Sequence, residues 1–151
     1  MKKFTKALTL LLIVLSMATL VACNTFGKVQ KALENIGYEV IETNSTAESI
    51  DEESDIAVTI HVFSNKNTLA LTEAYKLNAV IVVEFKATKD MIEYYKDSNT
   101  MQGIIKDINE DGTAEEFYNE LCEKGLANGN CMVISTNPLA RDEVCIAIKN
   151  A

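Results

Sequence analysis

Hydrophobic and polar positions along this chain follow two periods. Phe26, Val29, Leu33 and Ile36 recur at helical spacing and share one face. Asn24 or Thr25 is placed to open that helix, and Gly37 to close it in a left-handed turn. Tyr38 to Thr43 reads as a strand. Asn44 to Asp55 is polar and carries Glu48, Asp51, Glu52, Glu53 and Asp55 with no basic residue. Within it, Ser45 and Glu48 have capping-box spacing, which allows a helical turn; the acidic stretch as a whole reads as a solvated loop, with a cation-collecting run as the alternative. From Ile56 to Phe63 the period drops to two. Ile56, Val58, Ile60 and Val62 share one face, and Ala57, Thr59, His61 and Phe63 the other, which predicts a strand. Ser64-Asn65-Lys66-Asn67 reads as a turn. Thr68 to Leu77 has a helix-favouring composition, yet Leu69 and Leu71 also fit a strand, and both readings stay open. Ala79 to Ala87 is almost entirely apolar and β-branched, the pattern of a central strand.

The second half is mainly helical. Thr88 is placed to cap a helix bearing Met91, Ile92 and Tyr95, and Met101, Ile104, Ile105 and Ile108 continue a helical stripe. Asp111-Gly112 breaks it. Thr113 and Glu116 form a second capping-box pair, opening a helix with Phe117, Leu121 and Cys122 on one side. Cys131 to Thr136 predicts a short strand. Asn137-Pro138 predicts a helix start, with Val144, Ala147 and Ile148 facing inward. About four strands and five helices in mixed order, without an internal repeat, predict a single small α+β domain. Its one sheet should be mostly antiparallel, packed with helices on at least one face.

The first 22 residues obey neither pattern. Lys2, Lys3 and Lys6 precede an apolar region from Ala7 to Thr19, and Leu20-Val21-Ala22-Cys23 closes it. The stretch from Ala7 to Ala22 is 16 residues long. A membrane-spanning helix needs about 20. The segment resembles the start of bacterial lipoprotein precursors: a leucine, two residues ending in alanine, then a cysteine form the lipobox. That resemblance covers residues 1–23. It implies removal of a signal peptide (1–22) and a diacylglycerol thioether on Cys23, often with an acylated new N-terminus. The mature chain, 23–151, would then be lipid-anchored on the extracytoplasmic face of the cell membrane. Two or more acyl chains give stable anchoring where a single chain binds reversibly. The helical stripe beginning at Phe26 predicts a fold held close to the lipid, without a long tether.

Charge and cysteine content change once the leader is set aside. It carries three of the 14 basic residues and none of the 22 acidic ones, so residues 23–151 have a formal net charge of −11. That argues against nucleic acid as a partner and against a polybasic hold on anionic lipid. Lipidation of Cys23 would leave Cys122, Cys131 and Cys145. Export permits a disulfide, and Cys122–Cys131 is the pair favoured by the turn Asn128-Gly129-Asn130 between them; buried thiols are the alternative. No CxxC or CxxH spacing points to zinc.

One local motif carries chemistry. Asp107-Ile108-Asn109-Glu110-Asp111-Gly112-Thr113 resembles the first seven positions of an EF-hand or dockerin-type calcium loop. The resemblance implies oxygen ligands from Asp107, Asn109 and Asp111 and the carbonyl of Thr113. The loop departs from that family at position 12, where a bidentate carboxylate belongs and Tyr118 stands, and at position 8, occupied by Ala114. Glu115 or Glu116 would have to reach a cation early. The competing reading is a helix–turn–helix connection built on Asx turns, Gly112 and the Thr113/Glu116 cap. His61 is the one histidine, so a hydrolytic triad or Cys–His pair would have to use it. There is no phosphate loop, dinucleotide fingerprint, G-x-S-x-G or H-E-x-x-H motif. The expected function is a membrane-anchored, non-catalytic binding domain for an envelope protein or a small-molecule ligand. A calcium-responsive lipoprotein is the alternative, and an exported thiol or hydrolytic enzyme a distant third.

Overall fold

The computed structural model describes residues 25–46, 56–65 and 78–151. The leader, Cys23, the acidic run from Glu48 to Asp55 and the ambiguous segment 68–77 lie outside the described residues. Those described form an α+β domain around one antiparallel sheet of five strands. In chain order they are α1 (Thr25–Asn35), β1 (Tyr38–Thr46), β2 (Val58–Asn65), β3 (Ala79–Phe85), α2 (Thr88–Asp97), α3 (Asn99–Ile108), α4 (Ala114–Lys124), β4 (Ala127–Asn128), β5 (Cys131–Ser135) and α5 (Arg141–Lys149). The strand order is β1-β2-β3-β5-β4, which puts β3 in the centre as its apolar composition requires.

The sheet is covered on both faces. Alternation along β2 sends His61 and Phe63 to one side and Val58 and Ile60 to the other. On the first side Phe63, Val80, Val82, Cys131 and Val133 pack against Val29 and Leu33 of α1 and Val144 and Ile148 of α5. On the second, Val58, Val83 and Phe85 meet Met91, Tyr94 and Tyr95 of α2, Ile105 of α3 and Phe117 of α4. Two apolar clusters, one per face, are thus separated by the backbone of the sheet.

Several boundaries depart from the sequence pattern for identifiable reasons. β1 runs on to Thr46 because pairing with β2 extends to Thr46↔Val58; Glu48, the capping partner expected for Ser45, lies outside the described residues. A bulge between Val40 and Glu42 leaves Ile41 exposed. Ser64 and Asn65, expected in a turn, are strand residues paired with Glu39 and Tyr38. Thr88 is the first helical residue of α2 rather than its cap, which is Ala87 without a side-chain hydrogen bond. The stripe across 91–108 is two helices. Buried Ser98 interrupts it in an extended conformation and its Oγ accepts from the N–H of Met101, restarting the helix as α3. Asn137 does not cap α5 directly. Its Oδ1 accepts from the N–H of Leu139 at 2.9 Å in a local turn, and α5 begins only at Arg141. The two-residue strand β4 is too short to show in any periodicity.

Candidate functional site

Two places on the sheet collect chemistry, one on each face. The first is a groove of about 420 Å³ beside β5, on the face covered by α2, α3 and α4. Its floor is β5, where Met132 and Ile134 alternate toward that face. α3 contributes Met101 and Ile104 to its walls, and α4 contributes Phe117 and Leu121. Pro138, in the turn before α5, and Arg141, the first residue of α5, close the side. The helices leave part of this wall uncovered. Ile134 is opposite Ile81 in register, yet it is 44% exposed, and Ile104 is 42% exposed. Neighbouring exposed apolar side chains of this kind mark interaction surfaces more than isolated ones do. The volume lies within the roughly 300–1,000 Å³ of small-ligand sites. Two flexible methionines in the lining suit a site that adapts to an apolar guest. Arg141 is the one charged residue of the lining and the only arginine of the chain. It is exposed, and no described residue pairs with its guanidinium.

The second place is the buried ring of His61 on the opposite face. Nδ1 lies 3.2 Å from Thr43 Oγ1 and Nε2 lies 3.0 Å from Glu84 Oε2. The Phe26 ring from α1 stacks on the imidazole at 3.7 Å with an interplanar angle of 18°. Both ring nitrogens are therefore engaged and one ring face is covered. In register, Glu84 stands opposite Cys131, so a carboxylate lies between the histidine strand and a thiol strand. The thiol is fully buried. Burial first, and then the charge of Glu84, pushes the Cys131 thiol up to about 12. It is held as the neutral thiol at neutral pH, whereas nucleophilic thiols are lowered into that range.

That thiol makes a prediction about stability. Its folded value lies above the ordinary 9.0, so between pH 9 and 12 the native state keeps a proton that the unfolded chain releases. Stability from this group is full below pH 9 and falls as pH rises, by about 1.4 kcal/mol per unit for a buried group. Tyr95, raised mainly by burial, acts in the same direction. Urea midpoints should be equal at pH 7 and 8 and drop clearly by pH 10.5, with a smaller drop in Cys131→Val. A midpoint unchanged to pH 11 would contradict the buried placement of both groups.

The calcium-like loop is used for turns and caps. Asp107 is exposed on the last turn of α3. Asn109 Oδ1 accepts from the N–H of Asp111 at 3.3 Å, and the Asn109 carbonyl accepts from the N–H of Gly112 at 2.9 Å. The side chains of Thr113 and Glu116 form a complete capping box for α4. Glu116 Oε2 accepts from both the N–H and the hydroxyl of Thr113, which holds its carboxyl below the usual range. Tyr118, at the position of the missing carboxylate, donates its hydroxyl to the Gly129 carbonyl at 3.1 Å. Among the described residues no group of three or more His, Cys, Asp or Glu side chains is arranged to hold a metal ion.

Cys122, Cys131 and Cys145 are free thiols. The Cys122–Cys131 bridge is not formed because the two residues belong to opposite faces. Cys122 packs with the α2–α4 cluster and Cys131 with the α1–α5 cluster, the sheet lying between them. The groove was invisible as such in the sequence. Ile104 reads there only as part of a helical stripe, and Ile134 only as part of a strand. No protein-family model, curated protein or solved structure matches the chain.

Proposed function

We propose that this protein is a membrane-anchored lipoprotein whose acidic extracytoplasmic domain binds a small, largely apolar ligand in the groove beside β5. The observation that supports binding is the groove itself: about 420 Å³ of apolar lining on a domain that otherwise covers both faces of its sheet. Anchoring rests on the lipobox ending at Cys23 and on the short stretch of sequence between that residue and the fold. α1 starts at Thr25, and a methyl built on Gly129, at φ +54°, would meet the Thr25 side chain. None of the described helices is long and apolar enough to cross a membrane. In this reading the lipid confers location and the groove confers function.

The test has two arms. The full chain expressed in a bacterium should sediment with membranes and incorporate labelled fatty acid, while Cys23→Ser should lose the label. A Cys23→Ser protein that still takes up label would sink the anchor. The mature chain, 23–151, carrying Cys23→Ser should bind a neutral apolar fluorophore such as N-phenyl-1-naphthylamine at one site. Ile134→Arg, at an already exposed position, should weaken that binding at least tenfold with an unchanged melting temperature. A fluorophore indifferent to Ile134→Arg would remove the groove from the account.

A further inference from the structure

Arg141 stands out against the charge of its own domain. Residues 23–151 carry twice as many acidic as basic side chains, yet the only charged group lining the apolar groove is the chain's single arginine. No described residue neutralises it. Its own neighbours Asp142 and Glu143 lie in the first turn of α5, where their charges complement the helix N-terminus. A guanidinium at the edge of an apolar wall is suited to a ligand that is apolar along its length and anionic at one end. Its planar fork receives a carboxylate through two parallel hydrogen bonds, and such charge-assisted pairs are stronger than neutral ones. The volume is near the lower end for small-ligand sites, which fits one medium-length chain rather than the two chains of a glycerophospholipid.

We infer that the groove takes a single-chain carboxylate amphiphile, of the fatty-acid class. Its head engages Arg141, and its chain lies between Met132 and Ile134 on the sheet side and Phe117 and Leu121 on the helix side. This rests on the groove being a ligand site, as proposed above, and adds the chemistry of the guest. An anion is otherwise repelled by this acidic domain, so the head-group preference depends on one residue.

The experiment is a competition on the mature Cys23→Ser chain. Decanoate, decanol and decyltrimethylammonium, each below its aggregation threshold, displace the neutral fluorophore. Decanoate should compete at least tenfold better than decanol, about the discrimination expected of one charge-assisted contact. Arg141→Gln should abolish that difference by weakening decanoate far more than decanol or the fluorophore, and Arg141→Lys should restore part of it. Arg141 is exposed, so the variants should melt with the parent. If decanoate and decanol compete equally, or the cationic amphiphile competes best, the head-group assignment is overturned while the groove stands as a binding site. If the fluorophore binds and none of the three displaces it, the assignment of an amphiphile falls. If the fluorophore itself does not bind, the site reading falls with it.

Discussion

Gly125→Ala should destabilise the domain by about 3 kcal/mol or more, the sum of a left-handed backbone penalty and a displaced helix. Gly125 ends α4 at φ 70° and ψ 28°. Its N–H donates to the Cys122 carbonyl at 3.1 Å, and the N–H of Leu126 donates to the Leu121 carbonyl at 2.8 Å, which closes the helix. An alanine there first incurs the cost of positive φ. Its methyl would also overlap the backbone carbonyl of Cys145 in α5. A backbone atom in the middle of a helix cannot turn aside as a side chain can, so α5 would have to move as a unit. Small domains have only about 5–15 kcal/mol of total stability. Urea denaturation measures the loss directly, and Gly125→Asn separates the two causes. Asparagine tolerates the left-handed conformation but still carries a Cβ, so it should be nearly as damaging as alanine. An asparagine variant close to the parent would show that α5 does not approach Gly125 as described.

Phe63→Ala should cost about 3–5 kcal/mol, the range for removing a large aromatic side chain from a core. Phe63 is fully buried on β2, in the cluster that holds α1 and α5 to the sheet. The Phe26 ring of α1 lies 6.4 Å from it, tilted by 54°, and stacks on His61 next to it. Losing the Phe63 ring therefore undermines the helix nearest in sequence to Cys23. Hydrogen exchange should accelerate in α1 more than in α2, which packs on the other face of the sheet. Phe63→Leu should cost under about 1.5 kcal/mol because it keeps most of the volume. An alanine variant within about 1 kcal/mol of the parent, or uniform acceleration across both helices, would place Phe63 outside that core.

Much of the fold was legible from local pattern. Period-two alternation at 56–63 sorted Val58 from His61 and Phe63 onto the faces they occupy, because the pleat sends neighbours to opposite sides whatever the strand pairs with. The helical stripe at 26–36 and Gly37 delimited α1, and Thr113 with Glu116 announced the start of α4 through a hydrogen-bond pair four residues wide. Where pattern misled, a longer-range partner had decided the matter. The pairing of Ser64 with Glu39 turned an expected turn residue into strand. Ser98 broke a stripe that is continuous in hydrophobicity, since a change of helix direction leaves the spacing of apolar residues almost intact. In the calcium-like run Asp107 to Thr113, Asn109 Oδ1 accepts in an Asx turn, and Thr113 with Glu116 builds the cap of α4.

The candidate site was the least legible part. Leu121, Ile134 and Arg141 lie in one stretch of the chain but on three different elements, α4, β5 and α5, so no single periodicity connects them. What made them a site was the packing of α3 and α4 beside β5, which exists only once the strand order is set. By itself the sequence determined the acidity of residues 23–151, the α+β class and the faces of the central strands, because each depends on covalent order and local periodicity. The tertiary structure alone decided that both faces of the sheet are covered and that Cys122 and Cys131 lie on opposite sides of it. It alone decided too that Gly125 must lack a side chain and that one end of β5 stays open beside the single arginine. Each of these is a contact between segments whose meeting no local pattern encodes.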